Sequence, residues 1–317
     1  MNIVYIGSGE FGLECLKALA SSEHQLPLVV TQAPQKAGRG QKLRPTAVSE
    51  WAKSNNIARL ETENINQQQT IEKIASANPD VIVVIAFGQK ISNELINLPA
   101  KGMINIHSSL LPKYRGAAPV NWAIINGEQK TGISIITVAE KMDAGDILAQ
   151  ASLDIEENET AEQLEKRLAT LAPDVLLKTL NKIETGTAEY MPQDDSKATK
   201  APKLKKKDGY IDFNEPAERI KRKILGLWPW PGASALYTPA ESTRQKRVTI
   251  AMAQCVETNN PRHLQPGALD NNLNVICAED ALKITKIKPA GSNIMDFKDF
   301  VNGHRTRPGD KFVKIEP

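Results

Sequence analysis

The chain is 317 residues long, 41% hydrophobic and 24% charged, with a formal net charge of +3. That length predicts two domains, and that composition an ordinary globular protein with a sizeable core. Three cysteines without CxxC spacing, four histidines without ligand spacing, no basic leader and no apolar run of about 18 residues argue against a disulfide framework, a metal site, secretion and a membrane span. A cytoplasmic chain with reduced thiols is expected. Its mild basicity is compatible with nucleic acid but not diagnostic of it.

Strands and helices alternate from the start. Asn2–Ile6 is a β-branched run that predicts a strand. A helix is expected from Glu10 to about Ser21, where Leu13, Leu16, Leu19 and Ala20 form an apolar stripe. Between them, Gly7-x-Gly9-x-x-Gly12 matches the dinucleotide fingerprint letter for letter. That fingerprint wants an acid at the end of the second strand to hold a ribose hydroxyl, and here Leu26–Thr31 runs into Gln32-Ala33-Pro34. Nicotinamide binding is rejected on that ground, and the glycines are expected to serve a tight strand-to-helix turn. Residues 32–45 form a polar loop with Lys36, Arg39, Lys42 and Arg44, of a kind usually just solvated. Helices are predicted over Thr46–Asn55, Gln67–Ala77 and Ser92–Asn97. The continuous apolar run Val81–Ala86 reads as a central parallel strand covered on both faces, and Gly102–Ile104 as a strand leading into Asn105. A helix over Ala117–Asn126, strands over Gly132–Val138 and Ile147–Leu153, and a long amphipathic helix over Glu159–Thr185 follow. The alternation predicts an α/β fold, a Rossmann-like doubly wound sheet with its ligands outside the carboxyl ends of the strands.

From Asp194 to Asp208 the pattern collapses into the polar, lysine-rich DDSKATKAPKLKKKD. Residues 191–206 are expected to be a basic linker between a catalytic domain, 1–190, and a C-terminal domain, 207–317. A helix over Glu215–Leu225 leads to WPWPGA at 228–233. Short strand-like segments follow at Ala235–Tyr237, Val248–Ala253, Gly267–Leu269, Asn274–Cys277 and Leu282–Lys288, a spacing that suggests a small barrel or sandwich. Trp228 and Trp230 are expected to pack the inter-domain junction, with stacking on bases as the alternative.

The chemistry gathers in NIHSSLLPKYRGAAP, Asn105–Pro119, and is completed by Asp143. Asn105 and His107 stand two apart at the end of one strand, so an amide and an imidazole leave it on the same face. Ser108, Ser109, Pro112, Gly116 and Pro119 then form a segment where a ligand can approach the backbone. Taken singly, Asn105 reads as a strand-end cap, His107 as a satisfied structural histidine and Asp143 as a turn residue. Taken together with Gly132-x-Ser134-Ile135-x6-Met142-Asp143-x-Gly145 and WPWPGA, they resemble the formyltransferases that use 10-formyltetrahydrofolate, and among them the methionyl-tRNA formyltransferase family, over most of the chain. The family usually has a Gly-Thr-Pro type turn where this chain has Gly7–Gly12, a departure that leaves the chemistry untouched.

The resemblance implies an OB-like β-barrel as a C-terminal tRNA-binding domain, 10-formyltetrahydrofolate as co-substrate, and initiator methionyl-tRNA as partner. No metal, no nicotinamide cofactor and no membrane are expected from the residues, and a monomer is expected. The resemblance makes Asn105, His107 and Asp143 the catalytic trio. Ser109, Leu110, Leu111 and Pro112 would line the folate site, with Phe87-Gly88 as a further candidate. Arg39, Lys42 and Leu43 would reach into the acceptor stem. Lys113 and Arg115 are left open between the folate tail carboxylates and nucleic acid. Chemically, the Asn105 amide suits a developing oxyanion. His107 either takes a proton from the attacking amine and returns it to the leaving folate nitrogen, or acts mainly by electrostatics. Asp143 would orient the imidazole or a bridging water. No serine or cysteine has the context of a nucleophile, so no covalent enzyme intermediate is required. The alternative is a small-molecule amine formyltransferase, such as a sugar-nucleotide formyltransferase, with the same trio. A hydrolase of the formyl donor and a non-catalytic RNA-binding protein are more distant readings. The AGRGQKL loop and the full C-terminal region favour tRNA.

Overall fold

β-Branched runs alternating with amphipathic helices give a seven-stranded sheet in the first two thirds of the chain. In the computed structural model, which describes residues 1–37, 42–258 and 264–316, the elements run β1 (Asn2–Gly7), α1 (Leu13–Ala20), β2 (Gln25–Gln32), β3 (Gln35–Ala37), β4 (Lys42–Arg44), α2 (Ala47–Ser54), β5 (Arg59–Thr62), α3 (Gln68–Ser76), β6 (Val81–Ile85), α4 (Asn93–Ile96), β7 (Met103–His107), β8 (Arg115–Gly116), α5 (Pro119–Ile125), β9 (Lys130–Thr137), β10 (Ile147–Asp154), α6 (Ala161–Glu184) and β11 (Lys200–Ala201). The sheet order is β10-β9-β7-β6-β1-β2-β5. The five strands from β5 to β7 are parallel, and β9 and β10 are antiparallel additions at one edge. The chain moves outward from β1 through β2 to β5, then returns to β6 and β7. The reversal between β1 and β6 opens a crevice at their carboxyl ends, where such sheets bind ligands.

Burial explains the central strands. Ile3–Ile6 and Val81–Val83 are fully buried, as parallel strands covered on both faces must be. On one face Val4, Ile6, Val30, Ile82, Val84 and Met103 pack with Ile74 of α3 and Leu95 of α4. Asn105 and His107 continue the Met103 face by the two-residue period of a strand. α2 and α4 begin at hydroxyl caps, Thr46 accepting from the Ser49 amide at 3.0 Å and Ser92 from the Leu95 amide at 3.4 Å.

The three glycines of the nucleotide-like motif do not supply turn geometry, since none has a positive φ. They permit close approach. A Cβ on Gly7 would lie 2.6 Å from the Ile85 carbonyl oxygen, and one on Gly12 would lie 2.1 Å from the Tyr5 hydroxyl.

The described residues divide into two compact units, the first made of Met1–Pro119, Lys130–Asp154 and Glu165–Pro202, the second of Val120–Gln129, Ile155–Leu164 and the chain from Lys203 on. The division falls inside the stretch expected as a basic linker, whose residues up to Pro202 belong to the first unit. Lys200 and Ala201 pair in parallel with Arg115 and Gly116, and Ala201 is fully buried. Charge and one proline suggested a linker; the backbone pairing that fixes it leaves no mark in composition.

In the second unit, α7 (Ala217–Gly226), β12 (Ala233–Thr238), β13 (Lys246–Val256), β14 (Val275–Ile276), β15 (Ala281–Pro289), β16 (Met295–Asp296), α8 (Phe297–His304) and β17 (Lys311–Val313) follow in order. The antiparallel order β14-β15-β13-β12-β17 is nearly closed into a barrel by bridges from Ala268 to Lys311 and from Leu269 to Val275. Closure hides strand edges. Tyr237, Ile250, Ile284, Ile287, Phe300 and Phe312 fill the interior with Ile220 and Ile224 of α7. α8 and β17 are additions to the expected elements. Phe297 and Phe300 of α8 stack at 5.9 Å between centroids, and Arg305 ends the helix at φ 53°. Trp230 is 52% exposed.

Candidate active site

Two strand ends and two loops assemble the site within the first unit. β6 ends at Ile85, and the chain then turns through Ala86 at φ 48° and Gly88 at φ 78°. The Gln32 side-chain amide donates to the Phe87 carbonyl, and Gln89 accepts from the Ile65 amide at 2.9 Å. These contacts pin the loop as one wall of a cleft.

β7 supplies the opposite side. Asn105 lies in register between Val84 of β6 and Ile136 of β9. Its side chain makes no hydrogen bond with any described residue, and it lines the cleft. His107, two residues on, is buried, with Nε2 2.9 Å from the Tyr114 carbonyl oxygen. A carbonyl only accepts, so Nε2 carries the hydrogen and the free lone pair of a neutral ring is on Nδ1. Nδ1 stands 3.7 Å from Asp143 Oδ1, with the two side chains 7% and 13% exposed. The other carboxylate oxygen of Asp143 accepts from the Gly116 amide at 2.9 Å. The structure thus brings Asn105, His107 and Asp143 to one cavity of about 770 Å³, lined further by Phe87, Lys90, Ile91, Val138, Met142 and Glu165.

The clamps on this pair have a local cause. Tyr114 and Gly116 sit at φ 63° and 131°, and a Cβ on Gly116 would lie 2.4 Å from the Ala201 carbonyl oxygen. Only glycine allows the backbone to approach there and aim its amide at Asp143. On the Asp143 side, the Thr137 amide donates to the Asp146 carbonyl at 2.9 Å, and the Asp146 amide donates to the Thr137 hydroxyl at 2.9 Å. Gly145 lies so close to Thr137 that a Cβ would fall 1.8 Å from its carbonyl oxygen.

Ser109, Leu110, Leu111 and Pro112, expected along the folate site, frame the loop behind the cavity and are not among its lining residues. Ser109 is fully buried and its hydroxyl donates to the Lys113 carbonyl at 2.7 Å. Leu111 packs with Ile136 and Ile147. The Ser134 hydroxyl donates to the Ser109 carbonyl at 2.7 Å and accepts from the Leu111 amide at 3.0 Å. Phe87 and Gly88 do line the cavity. Arg115 is nearly buried and engaged with Gln193 and Asp195, which removes it as a free cation for a folate tail. Lys42 and Leu43 stand on β4 of a two-stranded hairpin with β3, and Leu43 is 67% exposed. Arg39 lies outside the described residues. Three participants had no readable role in the sequence: the Tyr114 carbonyl, the Gly116 amide and Gln193. RGAAP announced only a turn, and nothing announced Gln193. Among the described residues no group of three or more His, Cys, Asp or Glu could hold a metal ion, and no helix is long and apolar enough to cross a membrane.

Residues 1–180 match the formyl transferase family model, and residues 203–305 match that of the formyl transferase C-terminal domain. The methionyl-tRNA formyltransferase of Caldanaerobacter subterraneus subsp. tengcongensis is 39% identical over 98% of this chain and 99% of its own length. That of Halothermothrix orenii is 37% identical over 98% and 99%. Among solved structures, HypX from Aquifex aeolicus in complex with tetrahydrofolic acid superposes with a TM-score of 0.64 at 18% identity, over 95% of this chain and 47% of HypX. WlaRD, a sugar 3N-formyl transferase, superposes with a TM-score of 0.65 at 16% identity, over 92% of this chain and 99% of its own. At those identities the solved structures speak to the fold alone.

Proposed function

The chain belongs to the methionyl-tRNA formyltransferase family, and on that premise we propose that it transfers the formyl group of 10-formyltetrahydrofolate to the free amino group of methionine on initiator methionyl-tRNA. The observation that carries this reading is the convergence of Asn105, His107 and Asp143 on one cleft at the carboxyl ends of β6 and β7. The unpartnered Asn105 amide donates to the formyl oxygen as it becomes an oxyanion, a contact whose loss typically costs about 10²–10³ in rate. The amine attacks the formyl carbon and forms the new C–N bond. Its surplus proton passes to His107 Nδ1, beside the Asp143 carboxylate. Collapse breaks the bond to the folate nitrogen, which takes that proton. His107 serves as the proton carrier because Nε2 is already committed to the Tyr114 carbonyl.

The donor fits the cleft as a substrate. The 86–91 loop offers backbone polar groups beside Phe87 and Ile91, suited to a flat heteroaromatic ring with a polar edge. Lys90 provides a cation for the anionic tail. Lys42 and Leu43 of β4, together with Arg39, are read as the residues that meet the acceptor stem, and the C-terminal barrel as the tRNA-binding domain. A sugar-nucleotide substrate is less well supported, because the full-length relatives at 37–39% identity are methionyl-tRNA formyltransferases. The deciding assay supplies charged initiator tRNA and 10-formyltetrahydrofolate and looks for N-formylmethionyl-tRNA. No transfer to the charged tRNA, with transfer to an amino-sugar nucleotide, refutes the proposal.

A further inference from the structure

The segment after α6 returns to the site. Met191 and Ile147 exchange backbone hydrogen bonds at 2.8 and 3.0 Å, which sets Gln193 two residues further along. The Gln193 amide nitrogen donates to two carbonyls of the Asp143 loop, those of Asp143 at 2.8 Å and Gly145 at 2.7 Å. Its amide oxygen accepts from Arg115 twice, from Nε at 3.0 Å and Nη2 at 2.7 Å. The remaining arm of Arg115 meets Asp195 at 2.8 Å, and Lys141 meets the same carboxylate at 2.8 Å.

Arg115 stands between the two clamps of the catalytic pair. Tyr114 before it holds His107 Nε2, and Gly116 after it holds Asp143 Oδ2. One amide side chain therefore fastens the loop that carries Asp143 to the loop that fixes where His107 and Asp143 point. The need for a fastener is visible in Asp143 itself, whose φ of 53° is a conformation that non-glycine residues keep only when their surroundings hold them.

We propose that Gln193 is a positioning residue of the transfer reaction, holding the Asp143 carboxylate at its distance from His107 Nδ1. The inference rests on the activity proposed above. Gln193 is not among the residues lining the cleft, so it acts through Asp143 and leaves the substrate surfaces alone. Removing it frees two carbonyls and half of the Arg115 fork, the loop relaxes, and a proton on Nδ1 loses its fixed counter-charge.

The test uses the full chain with Gln193→Ala and with Gln193→Glu. The second keeps an acceptor for Arg115 but sets a carboxylate against two carbonyls, and it carries the test if the first is unstable. The expected result is a kcat lower by about tenfold to a hundredfold with KM for either substrate within about twofold. Added to Asp143→Asn, the substitution should lower kcat no further, because both changes remove the same interaction. A kcat within about twofold of wild type, a loss confined to KM, or a full second loss in the Asp143→Asn background overturns the assignment. A substrate-free readout separates this from failure of the functional reading. The His107 ring nitrogen signals, assigned by NMR with His107→Ala, should move in both Gln193 variants. If they stay in place, Gln193 does not position the pair, whether or not the wild type transfers formyl groups to tRNA.

Discussion

Replacing Asp143 by asparagine removes one charge while keeping nearly every atom. Oδ2 of Asp143 accepts from the Gly116 amide, so the new amide keeps its oxygen there and turns its NH2 toward His107. That NH2 faces the Nδ1 lone pair across 3.7 Å, while Nε2 still donates to the Tyr114 carbonyl. Nδ1 then has no counter-charge for a proton. Across 3.7 Å, a unit charge pair at an effective dielectric near 20 is worth about 4 kcal/mol. Both side chains are largely buried, so water screens this little. If the full charge develops on His107 in the transition state, kcat falls about 10³-fold. Binding of folate and tRNA should hardly change, because the carboxylate acts on a charge absent from the ground state. Single-turnover formyl transfer measures this, with folate binding and thermal unfolding as controls. A kcat within about tenfold of wild type, in a folded protein that binds both substrates, would refute proton uptake by His107 beside Asp143.

Gly145→Ala puts a Cβ 1.8 Å from the Thr137 carbonyl oxygen; it should cost about 1–3 kcal/mol and displace the Asp143 loop, and a denaturation curve matching wild type would contradict that packing. Lys42→Ala and Leu43→Ala alter exposed positions, so stability should hold within about 0.5 kcal/mol while tRNA affinity drops. The salt slope should fall by about 1 for Lys42 alone, and filter binding at several salt concentrations separates the two variants. Burial pushes the Cys15, Cys255 and Cys277 thiols and the Tyr237 hydroxyl up to about 12. The folded chain then holds protons that the unfolded chain releases above the ordinary values, so stability should be intact below about pH 8.5 and fall as pH rises toward 12. Urea unfolding followed from pH 8 to 11 checks the sign, and a midpoint that rises over that range would overturn it.

Much of the fold could be read in advance because its causes are local. Val81–Ile85 is apolar on both faces, and only a strand covered on both sides can use such a run. α2 carries its Thr46 cap and α6 a stripe at helical spacing. α8 was not readable, since its eight residues depend on two phenylalanines meeting a barrel that the sequence does not display. The glycines of the nucleotide-like motif were assigned to the right place for the wrong reason. Their spacing suggests a turn, but Gly7 and Gly12 are needed for close approach to Tyr5 and Ile85, and Gly9 lies against Ala86.

At the site, the sequence by itself determined the cast. Asn105 and His107 share a face because strand geometry has period two, and that rule needs nothing beyond the chain between them. Tertiary structure decided their hydrogen-bond partners. The proton-bearing nitrogen of His107 is set by a carbonyl seven residues on, the aim of Asp143 by the Gly116 amide 27 residues away, and the pose of its loop by Gln193 50 residues away. In each contact one partner is a backbone group that every residue carries, so the letters do not announce the pairing. These contacts exist only once β8 and β11 have paired and a glycine has let two backbones touch.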